Sequence, residues 1–283
     1  MALPPESLPD QIEGPPSTSP AGGEGLGVPV SVLAAPPEKR FPAWSGWDFL
    51  AVAVFTLVVI FVFTLVALFV ARALPQYRNT SFSDLAMDAK VVIGAQSAAY
   101  PIALLFIFLI VRTRSDQPFA SAIQWKWPGS SAPAFVVGGV VLAIVVEGLS
   151  RFLPIPKSLP MDAYFHDATS AYLMAAFGIT LAPLLEEVFF RGLLYPLLRR
   201  SYGLVMGVLL TAAAFAAIHG AQLGYAWAPV LSIFIVGVVF TVIRVRTSSV
   251  ASSFLMHCGY NLTLFVVLWL ASDHYRHLEK AAG

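Results

Sequence analysis

The stretch AVAVFTLVVIFVFTLVALFVA, residues 51–71, decides the fold class. It carries no charge, no proline and no glycine, and it matches the ~20 apolar residues that a helix needs to cross a ~30 Å hydrocarbon layer. Further stretches of this kind follow along the chain. With the first taken as about 48–73, they are about 89–112, 132–150, 168–185, 203–220, 227–244 and 249–271. The fourth runs into 186–200 without a polar break, so it reads as one long helix or as two. Pro183 lies between its halves. It removes a backbone donor and clashes with the carbonyl four residues back, which predicts a kink there. The expected fold is all-α, a polytopic transmembrane helical bundle of seven or eight spans.

The whole chain agrees with that reading. Its 283 residues are 58% hydrophobic and 12% charged, with a mean hydropathy of +0.76. Soluble domains average roughly 45–50% apolar and about 25% charged. A soluble fold of this length could not hide so much apolar surface, whereas lipid solvates it. A net charge of +1 offers no basic face for nucleic acid. The single cysteine, Cys258, excludes a disulfide framework within one chain.

Outside the spans, residues 1–44 are rich in Pro, Gly, Ser and Glu and read as a disordered tail. The transmembrane domain is expected over 45–272, and 273–283 form a short charged tail. The first apolar run is too long for a secretory signal. Lys39/Arg40, Arg112/Arg114, Arg199/Arg200 and Arg244/Arg246 fall at alternate ends of the spans; if those ends are cytoplasmic the N-terminus is inside, while the opposite loops hold Arg72, Arg78, Lys90, Arg151 and Lys157. Trp44, Trp47, Trp125 and Trp127 fit an interfacial belt.

Ionisable side chains in a bilayer core cost at least ~2.5–3.5 kcal/mol each on insertion scales, so the few that lie inside apolar runs are informative. In Ala182-Pro-Leu-Leu-Glu-Glu-Val-Phe-Phe-Arg-Gly192, Glu187 and Arg191 are four apart and share a helix face, so they can pair. Glu186 is rotated roughly 100° from Glu187 and needs another partner. Phe215 and His219 share a face of a later span, and His257 and Asn261 share a face of the last. Each of the latter pairs, alone, also fits a structural or interhelical hydrogen-bonding role. Glu147 and Arg151, again four apart, suggest a structural pair at the interface. At 1.5 Å per residue, Glu186 lies ~20 Å from Arg199, His219 ~24 Å from Gly203, and His257 to Asn261 ~17–23 Å from Arg246. The three groups can therefore converge at similar depth.

Glu186-Glu187-x-x-x-Arg191, Phe215-x-x-x-His219 and His257-x-x-x-Asn261, with Phe190-Arg-Gly-Leu-Leu-Tyr195 beside the first, resemble the signature of the CPBP family. These are intramembrane proteases of the CAAX-protease and bacteriocin-processing (Abi) type. The resemblance covers about 168–270, as a protease core. It implies hydrolysis of a peptide bond in a protein or peptide substrate at the membrane. Glu186 and His219 would activate a water, His257 and Asn261 would stabilise the oxyanion, and Glu187 and Arg191, with Phe215, would support Glu186. Carboxylate and imidazole suit general base work, and amide and imidazole N–H groups suit an oxyanion. His219, His257 and Glu186 are also a ligand set for a divalent metal such as zinc, with a position left for water. The implied partners are a peptide substrate and the lipid bilayer, with no nucleic acid, and the implied location is the plasma membrane of a bacterium. Two other classes share these features: a proton-coupled transporter, whose relays also use intramembrane Glu and His, and a non-catalytic immunity or scaffold protein. The first is disfavoured because no repeat relates the two halves of the chain.

Overall fold

The computed structural model describes residues 41–278. The expected tail over 1–44, with Lys39 and Arg40, lies outside the described residues apart from Phe41–Trp44, as does the end of the charged tail after residue 278. The described chain is all helical, without a strand. Its main helices are α1 (Gly46–Ala73), α3 (Ala89–Arg114), α5 (Ala132–Ser150), α6 (Ala168–Ile179), α7 (Leu181–Glu186), α8 (Tyr195–His219), α9 (Trp227–Thr247) and α10 (Val250–Ala271). The short α2 (Phe82–Ala86) and α4 (Phe119–Ala122) lie in the connections, and a π-helical segment, Glu187–Leu194, joins α7 to α8.

Six helices are long and apolar enough to cross a membrane, the longest being the merged run Ala168–His219 of 52 residues. At 1.5 Å per residue that run would exceed two bilayer thicknesses if straight. It is not straight. Gly203 has φ 80° and ψ −179° inside α8, a conformation open to glycine at little cost. The chain doubles back there, so closely that a Cβ on Gly207 would lie 2.9 Å from the Arg199 Cα. Residues 168–202 and 204–219 are thus two antiparallel arms.

The first arm is one span, not two. Along its length it meets α10 in steady antiparallel register: Glu187 against Ser253, Gly178 against Asn261, and Tyr172 against Trp269. With the merged run counted as two arms, the six candidate spans become seven among the described residues. The kink predicted at Pro183 falls at Thr180, where φ is −120° and ψ −76°. The displacement follows from proline chemistry, because the ring of Pro183 disrupts the ladder one turn earlier, at Ile179.

Two pairings frame the bundle. α1 packs along α3. Ser45 caps α1, with its hydroxyl accepting the Asp48 N–H and the Asp48 carboxylate accepting the Ser45 N–H. Arg114, at the end of α3, donates to Asp48 through Nη2 at 2.7 Å and Nε at 2.9 Å. α5 crosses α10 with its backbone in contact. A Cβ on Gly139 would collide with the Met256 carbonyl, and one on Gly259 with the Val136 carbonyl. Small residues allow this approach, which is how helices gain packing in lipid where no hydrophobic drive exists between them. Gly259 sits between His257 and Asn261, so α5 fixes the helix that carries both.

Trp44, expected in the interfacial belt, is 2% exposed, and its Nε1–H donates to the Leu193 carbonyl at 3.1 Å. Trp47 and Trp127 are exposed, as a belt requires. Arg244, read as a basic end residue, is buried, and its Nε–H donates to the Arg191 carbonyl at 3.3 Å. Glu147 and Arg151 are both exposed, and no ion pair joins them among the described residues.

Candidate active site

The site is built where the first arm, the second arm, α9 and α10 meet. Its centre is Glu187, the first residue of the π-helical segment. Such wider turns recur at functional sites. Glu187 and Arg191 are each 0% exposed, and Arg191 Nη1–H donates to Glu187 Oε1 at 3.0 Å. Two more donors reach the same carboxylate from α10: Ser253 Oγ–H to Oε2 at 2.6 Å, and the His257 Nδ1–H to Oε1 at 3.1 Å. Every carboxylate buried this deeply needs such company, because an unpaired charge in low dielectric costs several kcal/mol at least.

Arg191 is held as fully. Nη2–H donates to the Gly237 carbonyl at 3.0 Å and Nε–H to Thr241 Oγ1 at 3.3 Å, both on α9. The Phe215 ring lies 4.5 Å from its Cζ, near enough for a cation–π contact. Phe215 also flanks both histidines, with ring centroids 4.8 Å from His219 and 5.9 Å from His257. This gives the aromatic of the second motif its physical content: it packs a guanidinium on one side and two imidazoles on the others. Gly237 must be small for this to happen, since a Cβ there would lie 3.2 Å from both Ala212 Cα and Phe215 Cδ1.

Glu186 is different. It has no hydrogen bond among the described residues, its side chain is 16% exposed, and its nearest charged neighbour is His257 Nε2 at 3.8 Å. His257 therefore stands between the two glutamates, with Nδ1 on the buried one and Nε2 towards the reachable one. His219 directs Nδ1 to the carbonyl of Phe215 in its own helix at 2.9 Å, leaving Nε2 uncommitted. Asn261 donates from Nδ2 to the Gly178 carbonyl at 2.6 Å. That carbonyl lies at the break before Thr180, where the helical ladder is interrupted.

The geometry thus joins Glu187, Arg191 and His257 directly, brings Glu186 beside His257 and places Phe215 beside both histidines. It does not join His219 to either glutamate, nor Asn261 to His257. Among the described residues, no three His, Cys, Asp or Glu side chains are grouped to hold one metal ion. The set His219, His257 and Glu186 is not gathered in that way. Ser253, Thr241, Gly237 and Arg244 complete the network and were not singled out by motif. Only Ser253 had a signal: it stands four residues before His257, on the same face.

Residues 168–263 match the family model described as type II CAAX prenyl endopeptidase Rce1-like, which belongs to the CPBP family. The match holds all three motifs. No curated protein and no solved structure matches the chain. Residues 168–263 thus carry a peptidase domain of CPBP type, and the long apolar helices make the chain an integral membrane protein.

Proposed function

We propose that this chain hydrolyses a peptide bond of a membrane-associated protein or peptide, with Glu186 as the base that activates the attacking water. The observation that supports this reading is the division between neighbours. Glu187 has three donors and no access, while Glu186 has access and no donor. Because Nδ1 of His257 donates to Glu187, neutral His257 offers a lone pair at Nε2. Two acceptors 3.8 Å apart have no proton to share and call for a donor that serves both. A water can serve both, giving one proton to Glu186 as its oxygen attacks the carbonyl carbon. That proton then passes to the leaving amine as the tetrahedral intermediate collapses.

The second N–H of Asn261 is the donor best suited to the oxyanion, with His219 Nε2 as the other group in reach of a substrate when it carries a proton. Donors of this kind are worth ~2.7–4 kcal/mol each in other hydrolases. The CAAX prenyl substrates named by the family description are one class within this proposal, and the plasma membrane is the proposed location.

Membrane proteomics of cells carrying the wild type or Glu186→Ala tests the reading. Uncleaved precursors accumulate in the mutant, and the variant inserts normally. If precursors are processed as in the wild type, Glu186 is not the base.

A further inference from the structure

Glu187 fixes His257, and His257 faces Glu186, so whatever fixes Glu187 reaches the reacting water. The carboxylate of a glutamate rotates about a terminal sp³–sp² bond with a broad torsional profile, so burial alone does not hold its plane. Two points of attachment do. Oε1 is shared by Arg191 and His257, at 3.0 and 3.1 Å. Oε2 has a single donor among the described residues, the Ser253 hydroxyl at 2.6 Å. That hydroxyl also lies 3.0 Å from the Phe240 carbonyl, but it has one proton to give. The shorter contact, to a charged acceptor, is the stronger claim on it.

Ser253 is fully buried and cannot itself meet a substrate. It stands one turn before His257 on α10, and Asn261 stands one turn after, so the three lie on one face of one helix. Phe240 brackets the arrangement: its carbonyl faces Ser253 and its ring lies tilted against the His257 ring, with centroids 4.6 Å apart.

We infer that Ser253 is a positioning residue for the reaction: by pinning Oε2 it holds the Glu187 carboxylate in the plane that keeps His257 as the Nδ1–H tautomer, with its Nε2 lone pair towards Glu186. The third motif is thereby extended by one turn, to Ser253-x-x-x-His257-x-x-x-Asn261. Without the hydroxyl, Oε2 has no donor in a buried site. The carboxylate then turns to share Arg191 with both oxygens, and the line to His257 Nδ1 is lost. The inference rests on the peptidase reading for its kinetic consequence and on geometry alone for its effect on His257.

The test uses full-length protein in lipid nanodiscs with Ser253→Ala, Ser253→Cys and Ser253→Thr. Alanine deletes the donor, cysteine keeps the size with a poor donor, and threonine restores a hydroxyl. On the precursor that accumulates with Glu186→Ala, Ser253→Ala and Ser253→Cys lower kcat about 10–100-fold, the span expected for losing a hydrogen bond to a charged group, with KM within about twofold. Ser253→Thr recovers most of the loss. Separately, ¹⁵N shifts of the His257 ring report a single Nδ1–H tautomer in the wild type and a mixture in Ser253→Ala. Full kcat in a folded Ser253→Ala or Ser253→Cys, or an unchanged tautomer, overturns the inference while leaving Glu186 as base. Failure of Glu186→Ala to block processing removes Glu186 as the base, and the tautomer measurement still decides the role of Ser253.

Discussion

The first span and the glutamate-bearing arm face the same solvent in opposite ways. α1 has no charge between Asp48 and Arg72, and most of its side chains lie open, Leu57, Phe61 and Phe69 being more than 60% exposed. Among the described residues its main neighbour is α3. The segment Leu181–Leu194 carries two carboxylates and a guanidinium, and Glu187 and Arg191 are wholly enclosed by α9, α10 and the second arm. Lipid can solvate the first kind of surface, and only protein can solvate the second. Precision of fit is therefore spent around the polar cluster, and the outer helix needs little of it.

The sharpest way to break this contrast is to strand a charge. Arg191→Met leaves Glu187 buried without its cation and should cost ~3–5 kcal/mol, read as a large fall in the detergent unfolding temperature. The double variant Glu187→Gln, Arg191→Met should lose less than the sum of the two single changes, because the pair is removed together. Additive losses would mean that the two groups are not coupled. Glu186→Gln should abolish cleavage with a near-normal unfolding temperature, whereas Glu187→Gln should lower that temperature. If Glu187→Gln were stable and inactive while Glu186→Gln still cleaved, the roles of the pair would be reversed.

Smaller effects sharpen the comparison. Gly259→Ala places a methyl against the Val136 carbonyl and should cost ~1–3 kcal/mol through overpacking. Val58→Leu on the open face of α1 should stay within ~0.5 kcal/mol. Equal losses at the two sites would erase the distinction between lipid-facing and protein-facing helices.

The smallest effect concerns the ends of the spans. Partial burial pushes the Asp167 carboxyl up, but the Lys90 ammonium and the N–H and hydroxyl of Ser170 together hold it below the ordinary carboxylate range. A carboxyl depressed in the folded state binds fewer protons than its unfolded counterpart. Its contribution is therefore present above the unfolded pKa and lost as pH falls through the folded one. Both partners are more than a third exposed, so Asp167→Asn should remove no more than ~0.5 kcal/mol, and only above about pH 4. A loss of several kcal/mol, or one that grows towards acid, would contradict this account.

Much of this is legible in the sequence itself. Uninterrupted apolar runs gave the helices, because length and lack of charge are local properties. Glu187 and Arg191 were readable as a pair, because both lie on one helix four residues apart. The proline kink was legible in kind but not in place, since the disturbance falls a turn earlier than the ring that causes it. Partners between helices were not legible. Nothing local marks Thr241 and Gly237 as the cradle of Arg191, or Gly139 as the seat of α10. Nor does anything local mark the Leu193 carbonyl, 149 residues away, as the partner of the Trp44 N–H. Arg244 was counted among charges at a membrane face, and packing turned it inward to Arg191.

The ion pair within a single turn bears on how the chain is made. Domains emerge from the ribosome N-terminal end first, so residues 181–202 reach the membrane before α10 exists. At that stage Ser253 and His257 are not available to Glu187. Arg191 is, because it rides on the same helix one turn away, and the two charges cancel as soon as that turn forms. Against the insertion cost of a bare ion, such self-neutralisation leaves Glu186 as the one acidic group of the segment that awaits a partner. The residue that remains unsettled during assembly is the same one left free to work when assembly is complete.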